Sequence, residues 1–155
     1  MTLERDIQVL QEVPFLAGVP AEPLRLIAFS AERRELAAGE ILFREGEAAD
    51  GAALVMGGRI DLRHDREDGP ATVLTAGPGT LLGELALLVE TRRPATAVAA
   101  GRAVTLLITR RMFRRVLEEY PDVTLTLQQR VAERLTALGP NLGSLAARLE
   151  ALDRD

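Results

Sequence analysis

Gly51-Ala52-Ala53-Leu54-Val55-Met56-Gly57-Gly58-Arg59-Ile60-Asp61-Leu62-Arg63-His64 reads as two short strands joined at a glycine pair. Short apolar or alternating runs bounded by glycine mark strands and tight hairpins, because glycine reaches the positive φ that such turns need. The same rhythm extends in both directions. Glycines at Gly39, Gly46, Gly51, Gly57-Gly58, Gly69, Gly77, Gly79 and Gly101 separate segments rich in Val, Leu, Ile and Thr. Strands are predicted near 32–37, 40–44, 52–57, 59–64, 71–75, 80–82, 95–100 and 103–109. Asp65-Arg66-Glu67-Asp68-Gly69-Pro70 reads as an exposed hairpin turn. The pattern predicts an antiparallel sandwich or barrel.

Helices flank this region. Ile7, Leu10 and Val13 predict a helical turn or two stopped near Pro14, followed by an apolar anchor at Phe15 and Leu16. Pro20 and Pro23 frame the start of a second helix, whose Leu24, Ile27 and Ala28 face a core; proline is tolerated there because the first turn lacks backbone acceptors. Arg110 to Tyr120 reads as a helix with Met112, Val116 and Leu117 apolar. Pro121 interrupts it and Asp122 stands at the next helix start. Val123, Leu127, Val131, Leu135 and Leu138 then form one helical stripe, ended by Gly139-Pro140. The tail carries Leu142, Leu145, Leu149 and Leu152, an a/d pattern too short to specify a coiled coil.

Composition narrows the functional classes. The 155 residues fit one compact domain, and 47% are apolar, enough for an ordinary core. No cysteine is present, which excludes disulfides, thiolate metal sites and cysteine nucleophiles. The net charge of −4 argues against general attraction to DNA or anionic lipid. No apolar stretch approaches the ~20 residues needed to span a bilayer, and the polar start lacks a secretory h-region, so a cytoplasmic, non-membrane protein is expected. His64 with Asp61, Asp65, Glu67 and Asp68 reads as an acidic hairpin rather than a metal site. Gly77, Gly79 and Gly83 miss a dinucleotide fingerprint by one position and lack the helix that should follow. No catalytic motif stands out, and no cofactor or metal is expected. Arg110, Arg111, Arg114 and Arg115 read as a solvated helix face, with partner docking the alternative.

The chemistry is concentrated in Gly77-Pro78-Gly79-Thr80-Leu81-Leu82-Gly83-Glu84-Leu85-Ala86-Leu87-Leu88-Val89-Glu90-Thr91-Arg92-Arg93-Pro94-Ala95-Thr96. A glycine-rich turn leads through a short strand into a short helix-like piece. A loop bearing two arginines returns to a strand. Free N–H groups at such a helix start point at an anion, and an arginine offers a fork of donors to phosphate oxygens. A carboxylate beside that site repels an anion unless it faces a hydroxyl. Glu84 with Arg93 therefore suits a ligand that carries both a phosphate and a hydroxyl, as a nucleotide sugar does. The ordinary alternative is a surface ion pair, worth about 0–1 kcal/mol.

The segment resembles the phosphate-binding cassette of the cyclic nucleotide-binding domain family. Gly83-Glu84-Leu85-Ala86-Leu87-Leu88 matches its first part, and Arg93, Ala95 and Thr96 its second. The spacing of nine from Glu84 to Arg93 is similar to the kinase-type cassette, and Arg92 is out of register with Ala95-Thr96. The resemblance extends to Ala38 through Gly46, Asp50 through Ile60, Pro78-Gly79, Phe113 and Pro121. It implies a mainly β fold with flanking helices: an antiparallel, jelly-roll-like β-roll with N-terminal helices and C-terminal hinge and lid helices. It implies a domain over 1–138, leaving 139–155 as a short amphipathic tail. It also implies that Glu84 accepts from the ribose 2′-OH, and that Arg93 pairs with the cyclic phosphate. Leu82, Gly83, Leu85, Ala86, Pro94, Ala95 and Thr96 complete the ligand shell, and Leu138 is the candidate cover for the base.

Two positions depart from the family pattern. Pro94 replaces a residue whose N–H, and in some members hydroxyl, faces the ligand; proline has no N–H. No polar residue around Leu138 names the base, so cAMP is favoured over cGMP only by default. The expected function is a sensory, non-enzymatic module that signals by hinge and lid movement. Its expected partners are a cyclic nucleotide and, through the C-terminal helices, a second copy or another protein, with no DNA. A non-binding interaction scaffold and a remnant of a transcription regulator are the alternatives.

Overall fold

The computed structural model describes residues 2–64, 68–69 and 71–137, with side chains through 133. Helices α1 (Leu3–Glu12) and α2 (Ala21–Ser30) flank a 3₁₀ turn at Pro14–Leu16. Ten strands follow: β1 (Glu32–Leu36), β2 (Ile41–Phe43), β3 (Ala48–Ala49), β4 (Gly51–Gly57), β5 (Ile60–His64), β6 (Ala71–Ala76), β7 (Leu81–Leu82), β8 (Thr91–Arg92), β9 (Thr96–Ala99) and β10 (Ala103–Thr109). A second 3₁₀ turn, Glu84–Leu87, separates β7 from β8, and α3 (Arg110–Glu118) and α4 (Pro121–Ala137) close the described chain.

The strands form one sheet in the order β1-β10-β4-β7, another in the order β2-β9-β5-β6, and a two-stranded ribbon β3-β8. All pairings are antiparallel. This is the predicted β-roll with flanking helices. The predicted strands all appear, but β3 and β8 do not follow from the sequence, because two residues carry no readable alternation. Helix α1 exceeds the predicted turn or two and runs for ten residues. The Thr2 hydroxyl accepts from the Arg5 N–H at 3.3 Å, satisfying one of the donors that a helix start leaves open. The hairpin tip at 65–67 and 70, Leu138 and the tail lie outside the described residues.

β4 explains why its sequence does not alternate. Ala52, Leu54 and Met56 face a core built with α1, α2, α3 and α4. Val55, on the other face, packs between the sheets with Leu36, Ile60, Leu82 and Ala97. Both faces are dry, so both demand apolar residues. Leu10, Leu24, Leu54, Phe113 and Leu127 are fully enclosed on the helical side. Each such side chain contributes about 1.5–3 kcal/mol of burial free energy. Leu24, Ile27, Ala28, Val116, Leu117, Leu127 and Val131 are buried as predicted, whereas Met112 and Val123 are only half-buried.

The arginine run needs one correction. Arg111, Arg114 and Arg115 are exposed, but Arg110 is half-buried and bound to the barrel. Its Nη1 donates to the carbonyls of Ala49 (3.0 Å), Ala86 (3.1 Å) and Val89 (3.2 Å). No described helix is long and apolar enough to cross a membrane.

Candidate functional site

β7 is hydrogen-bonded to β4, with Leu82 opposite Ala53, and it delivers the chain to Gly83. Gly83 has φ +81°, a conformation that costs a non-glycine residue roughly 1–2 kcal/mol. Space reinforces the choice: a Cβ here would lie 2.6 Å from Arg93 Nη1. The left-handed step turns the chain sharply into the Glu84–Leu87 3₁₀ turn, with the Ala86 N–H bonded to the Gly83 carbonyl at 2.9 Å.

The returning arm is held by the β3-β8 ribbon, where Ala48 pairs with Arg92 and Ala49 with Thr91. Beyond the ribbon, the Arg93 N–H donates to the Glu47 carbonyl and the Gly46 N–H donates to the Arg93 carbonyl, both at 2.8 Å. Arg93 is thus clamped through its backbone on both sides. Its guanidinium carbon lies 4.2 Å from the centroid of the Phe43 ring, within cation–π range.

Both arms open on a cavity of about 910 Å³. Leu82, Gly83, Glu84, Leu85, Ala86, Arg93 and Pro94 line one side of it. Leu62 and Leu74 supply an apolar wall from the second sheet. Val13, Pro14 and Phe15 of the first 3₁₀ turn, with Arg130 and Val131 of α4, complete it. Arg130 Nη1 donates to the Phe15 carbonyl at 2.7 Å, which ties α4 to the N-terminal turn at the cavity wall.

The electrostatics centre on Arg93. Its side chain is only 10% exposed, and Nη1 is buried with no hydrogen-bond partner. Asp50 Oδ1 lies 3.9 Å from Nη2, but that carboxylate is itself almost fully in water. Burial pushes the Arg93 pKa below its ordinary value, and the charges of Asp50 and Glu47 partly offset this. The group is a desolvated cation with donors to spare. Glu84 contributes to the same cavity a carboxylate whose Oε1 is buried.

Ala95 and Thr96 of the expected ligand shell stand behind the cavity wall. Both are buried, and neither lines the cavity. β9 begins at Thr96, and the Thr96 hydroxyl accepts from the Glu45 N–H at 2.9 Å. The pair serves the barrel wall behind Pro94. Leu138 lies outside the described residues. Arg92 does line the cavity, but its Nη1 is engaged with the Gly46 carbonyl at 2.9 Å. The Arg93–Phe43 stack and the Arg130 contribution leave no trace in local sequence pattern. His64 Nδ1 lies 2.9 Å from Glu45 Oε1, and the described residues contain no acidic or histidine cluster suited to a metal ion.

Residues 33–120 match the sequence profile of the cyclic nucleotide-binding domain. The chain belongs to that family. A cyclic nucleotide-binding-like protein from Brucella abortus is 44% identical, with a TM-score of 0.69 over 73% of this chain and 97% of that one. The N-terminal domain of a transcriptional regulator from Streptomyces coelicolor is 30% identical, with a TM-score of 0.77 over 84% of this chain and 92% of that one. A curated relative, lysophospholipase NTE1 of Chaetomium globosum, is 33% identical over 113 residues, or 72% of this chain. The chain spans only 7% of that relative's length, so the likeness concerns a cyclic nucleotide-binding segment of a much larger protein. The family is one of ligand-binding regulatory domains, and this chain has its fold and both arms of its cassette.

Proposed function

We propose that this chain is a cyclic-nucleotide sensor in which Glu84 accepts from the ribose 2′-OH and Arg93 pairs with the cyclic phosphate. The observation that carries the reading is the state of Arg93: a desolvated guanidinium whose buried Nη1 has no acceptor, beside a cavity that also presents a carboxylate. A cyclic phosphate supplies the acceptor, and a ribose hydroxyl makes the nearby carboxylate an asset instead of a repulsion. Gly83, Leu85 and Ala86 offer backbone to sugar and phosphate. The cavity volume lies within the roughly 300–1,000 Å³ common for small-ligand sites. Leu62, Leu74 and Val131 suit a purine face. cAMP is placed ahead of cGMP because Pro94 carries no hydroxyl to favour guanine.

In this reading α3 is the pivot and α4 the cover, with Leu138 over the base. Residues 1–138 form the sensor and 139–155 a tail for self-association or a protein partner, in the cytoplasm. A ligand drives such a switch only by binding the closed form more tightly than the open one. Titration calorimetry with cAMP and cGMP tests the proposal: heat with the wild type, lost in Arg93→Ala and strongly reduced in Glu84→Gln. Pro94, which removes one N–H from the cavity wall, favours a second reading, a scaffold that keeps the barrel without the ligand. A flat isotherm for both nucleotides, at protein concentrations near 100 times a micromolar Kd (about −8.2 kcal/mol of binding free energy), establishes the scaffold in place of the sensor.

A further inference from the structure

Arg110 stands at an unfavourable place for a cation. It is the first residue of α3, where the helix dipole is positive, and the first turn of α3 contains no acid. Its own N–H is used in a bond to the Asp50 carbonyl at 2.6 Å. The guanidinium does not turn to water as those of Arg111, Arg114 and Arg115 do. It reaches three carbonyls on two separate arms of the site. Ala86 lies within the turn that begins with Glu84, and Val89 lies two residues past its last residue, Leu87. Ala49 belongs to the ribbon whose other strand leads directly into Arg93.

We infer that Arg110 is a positioning residue that sets the separation of Glu84 and Arg93 and ties that separation to the start of α3. The physical argument is geometric. The Glu84 arm is a 3₁₀ turn of four residues, and the Arg93 arm is a two-stranded ribbon of two residues per strand; neither is rigid alone. A planar guanidinium that donates to both fixes their spacing as a bracket would. Carbonyls at the end of the 3₁₀ turn carry partial negative charge, which suits a cation there. Any shift of the Glu84 turn must then either break these bonds or move the first residue of α3. The inference takes its two arms from the proposed nucleotide site, but the bracket itself exists without ligand.

The test therefore begins without nucleotide. Amide hydrogen exchange is measured on wild type, Arg110→Met and Arg110→Lys. In Arg110→Met the amides of Ala86, Leu88, Val89 and Arg93 are expected to exchange about tenfold faster, while those of Leu106 and Ile108 in the core of β10 are unchanged, as local opening requires. A merely structural role accelerates all of these together through global destabilisation, and that result, or no change at all, overturns the inference. Lysine keeps the charge but not the fork, so Arg110→Lys is expected to restore part of the protection; restoration absent alongside a wild-type melting temperature also counts against the bracket. With cAMP added, Arg110→Met is expected to bind about tenfold more weakly and to leave α3 exchange unaltered by ligand. Wild-type affinity and wild-type α3 response in that variant overturn the inference. Failure of the wild type to bind any cyclic nucleotide rejects the sensor function, and the exchange comparison still decides on Arg110.

Discussion

The guanidinium of Arg93 stacks on the ring of Phe43, 4.2 Å from its centroid, so the buried cation of the cavity wall is held by an aromatic side chain 50 positions earlier in the chain. The ring is half-buried and borders the core between the sheets. It holds the cation where no carboxylate holds it closely. Phe43→Leu keeps the apolar bulk and removes the ring quadrupole. Nucleotide affinity is expected to fall about two- to fivefold, matching the ~0.5–1 kcal/mol of a half-exposed cation–π contact. Calorimetry measures the affinity, and a thermal melt checks that the fold is retained.

Arg93 carries a second consequence, of opposite sign for stability and for binding. A buried cation without a close partner opposes folding, and replacing it by an apolar side chain of similar length removes that opposition. Arg93→Met is expected to unfold at the same or a higher denaturant concentration than wild type, by up to about 1 kcal/mol. The same change removes a charge-assisted contact worth roughly 1.5–3 kcal/mol, so cyclic nucleotide affinity is expected to drop at least tenfold. Urea denaturation and calorimetry on one variant read both quantities. A loss of stability equal to the loss of binding contradicts this account.

Burial also fixes how Arg93 depends on pH. Its pKa is lowered by desolvation, and Asp50 and Glu47 act to raise it. A base whose folded pKa lies below its unfolded one opposes folding while it is charged, and that opposition fades only as pH rises through the folded value. Since arginine starts far above the neutral range, the cation persists through it. Anion binding through Arg93 is therefore expected to be flat between pH 6 and pH 9, measured as cAMP affinity in constant ionic strength. A sharp fall across that interval assigns the phosphate contact to another group.

The barrel was legible because its determinants are local. Gly57-Gly58 and the runs on either side specify β4, a tight turn and β5, and Gly83-Glu84 through Arg93 mark the cassette through their resemblance to the family pattern. What escaped is set by contacts between distant segments. β3 and β8 exist because two residues on each strand pair across 42 and 44 positions of sequence. Arg110 looks like its neighbours Arg111, Arg114 and Arg115 in sequence, and differs only because β10 ends facing the carbonyls of Ala49, Ala86 and Val89. Thr96 matches the cassette pattern, yet its hydroxyl serves Glu45. A motif fixes where the backbone goes more firmly than where each side chain points.

Gly83 tests that distinction directly. A methyl group at this position meets Arg93 Nη1 at 2.6 Å and forces a left-handed φ on alanine. The clash falls on the flexible end of a side chain and relaxes by moving Arg93. The backbone strain does not relax. Gly83→Ala is therefore expected to lose about 1–2 kcal/mol of stability and, because the guanidinium is displaced from the cavity, to lose more affinity than Phe43→Leu. Denaturant titration measures the first effect and calorimetry the second. Binding equal to wild type places Arg93 outside the ligand contact.

The N-terminal helix is joined to the barrel by an ion pair whose removal separates packing from sensing. Asp6 on α1 accepts from Arg33 Nη2 on β1 through both carboxylate oxygens, at 2.8 and 2.9 Å. The Asp6 side chain is 10% exposed and that of Arg33 28%, so the pair is shielded from water more on the acid's side. Removing only the acid leaves a partly buried cation, a worse situation than removing both partners. Asp6→Ala is expected to cost about 2–3 kcal/mol, near the lower edge of fully buried pairs. The double variant Asp6→Leu with Arg33→Met is expected to recover at least half of that loss. Both positions lie off the cavity wall, so nucleotide affinity at a temperature well below the melt is expected to stay within twofold of wild type. Chemical denaturation supplies the double-mutant cycle. An Asp6→Ala protein as stable as wild type shows that α1 is held by Ile7, Leu10 and Val13 alone.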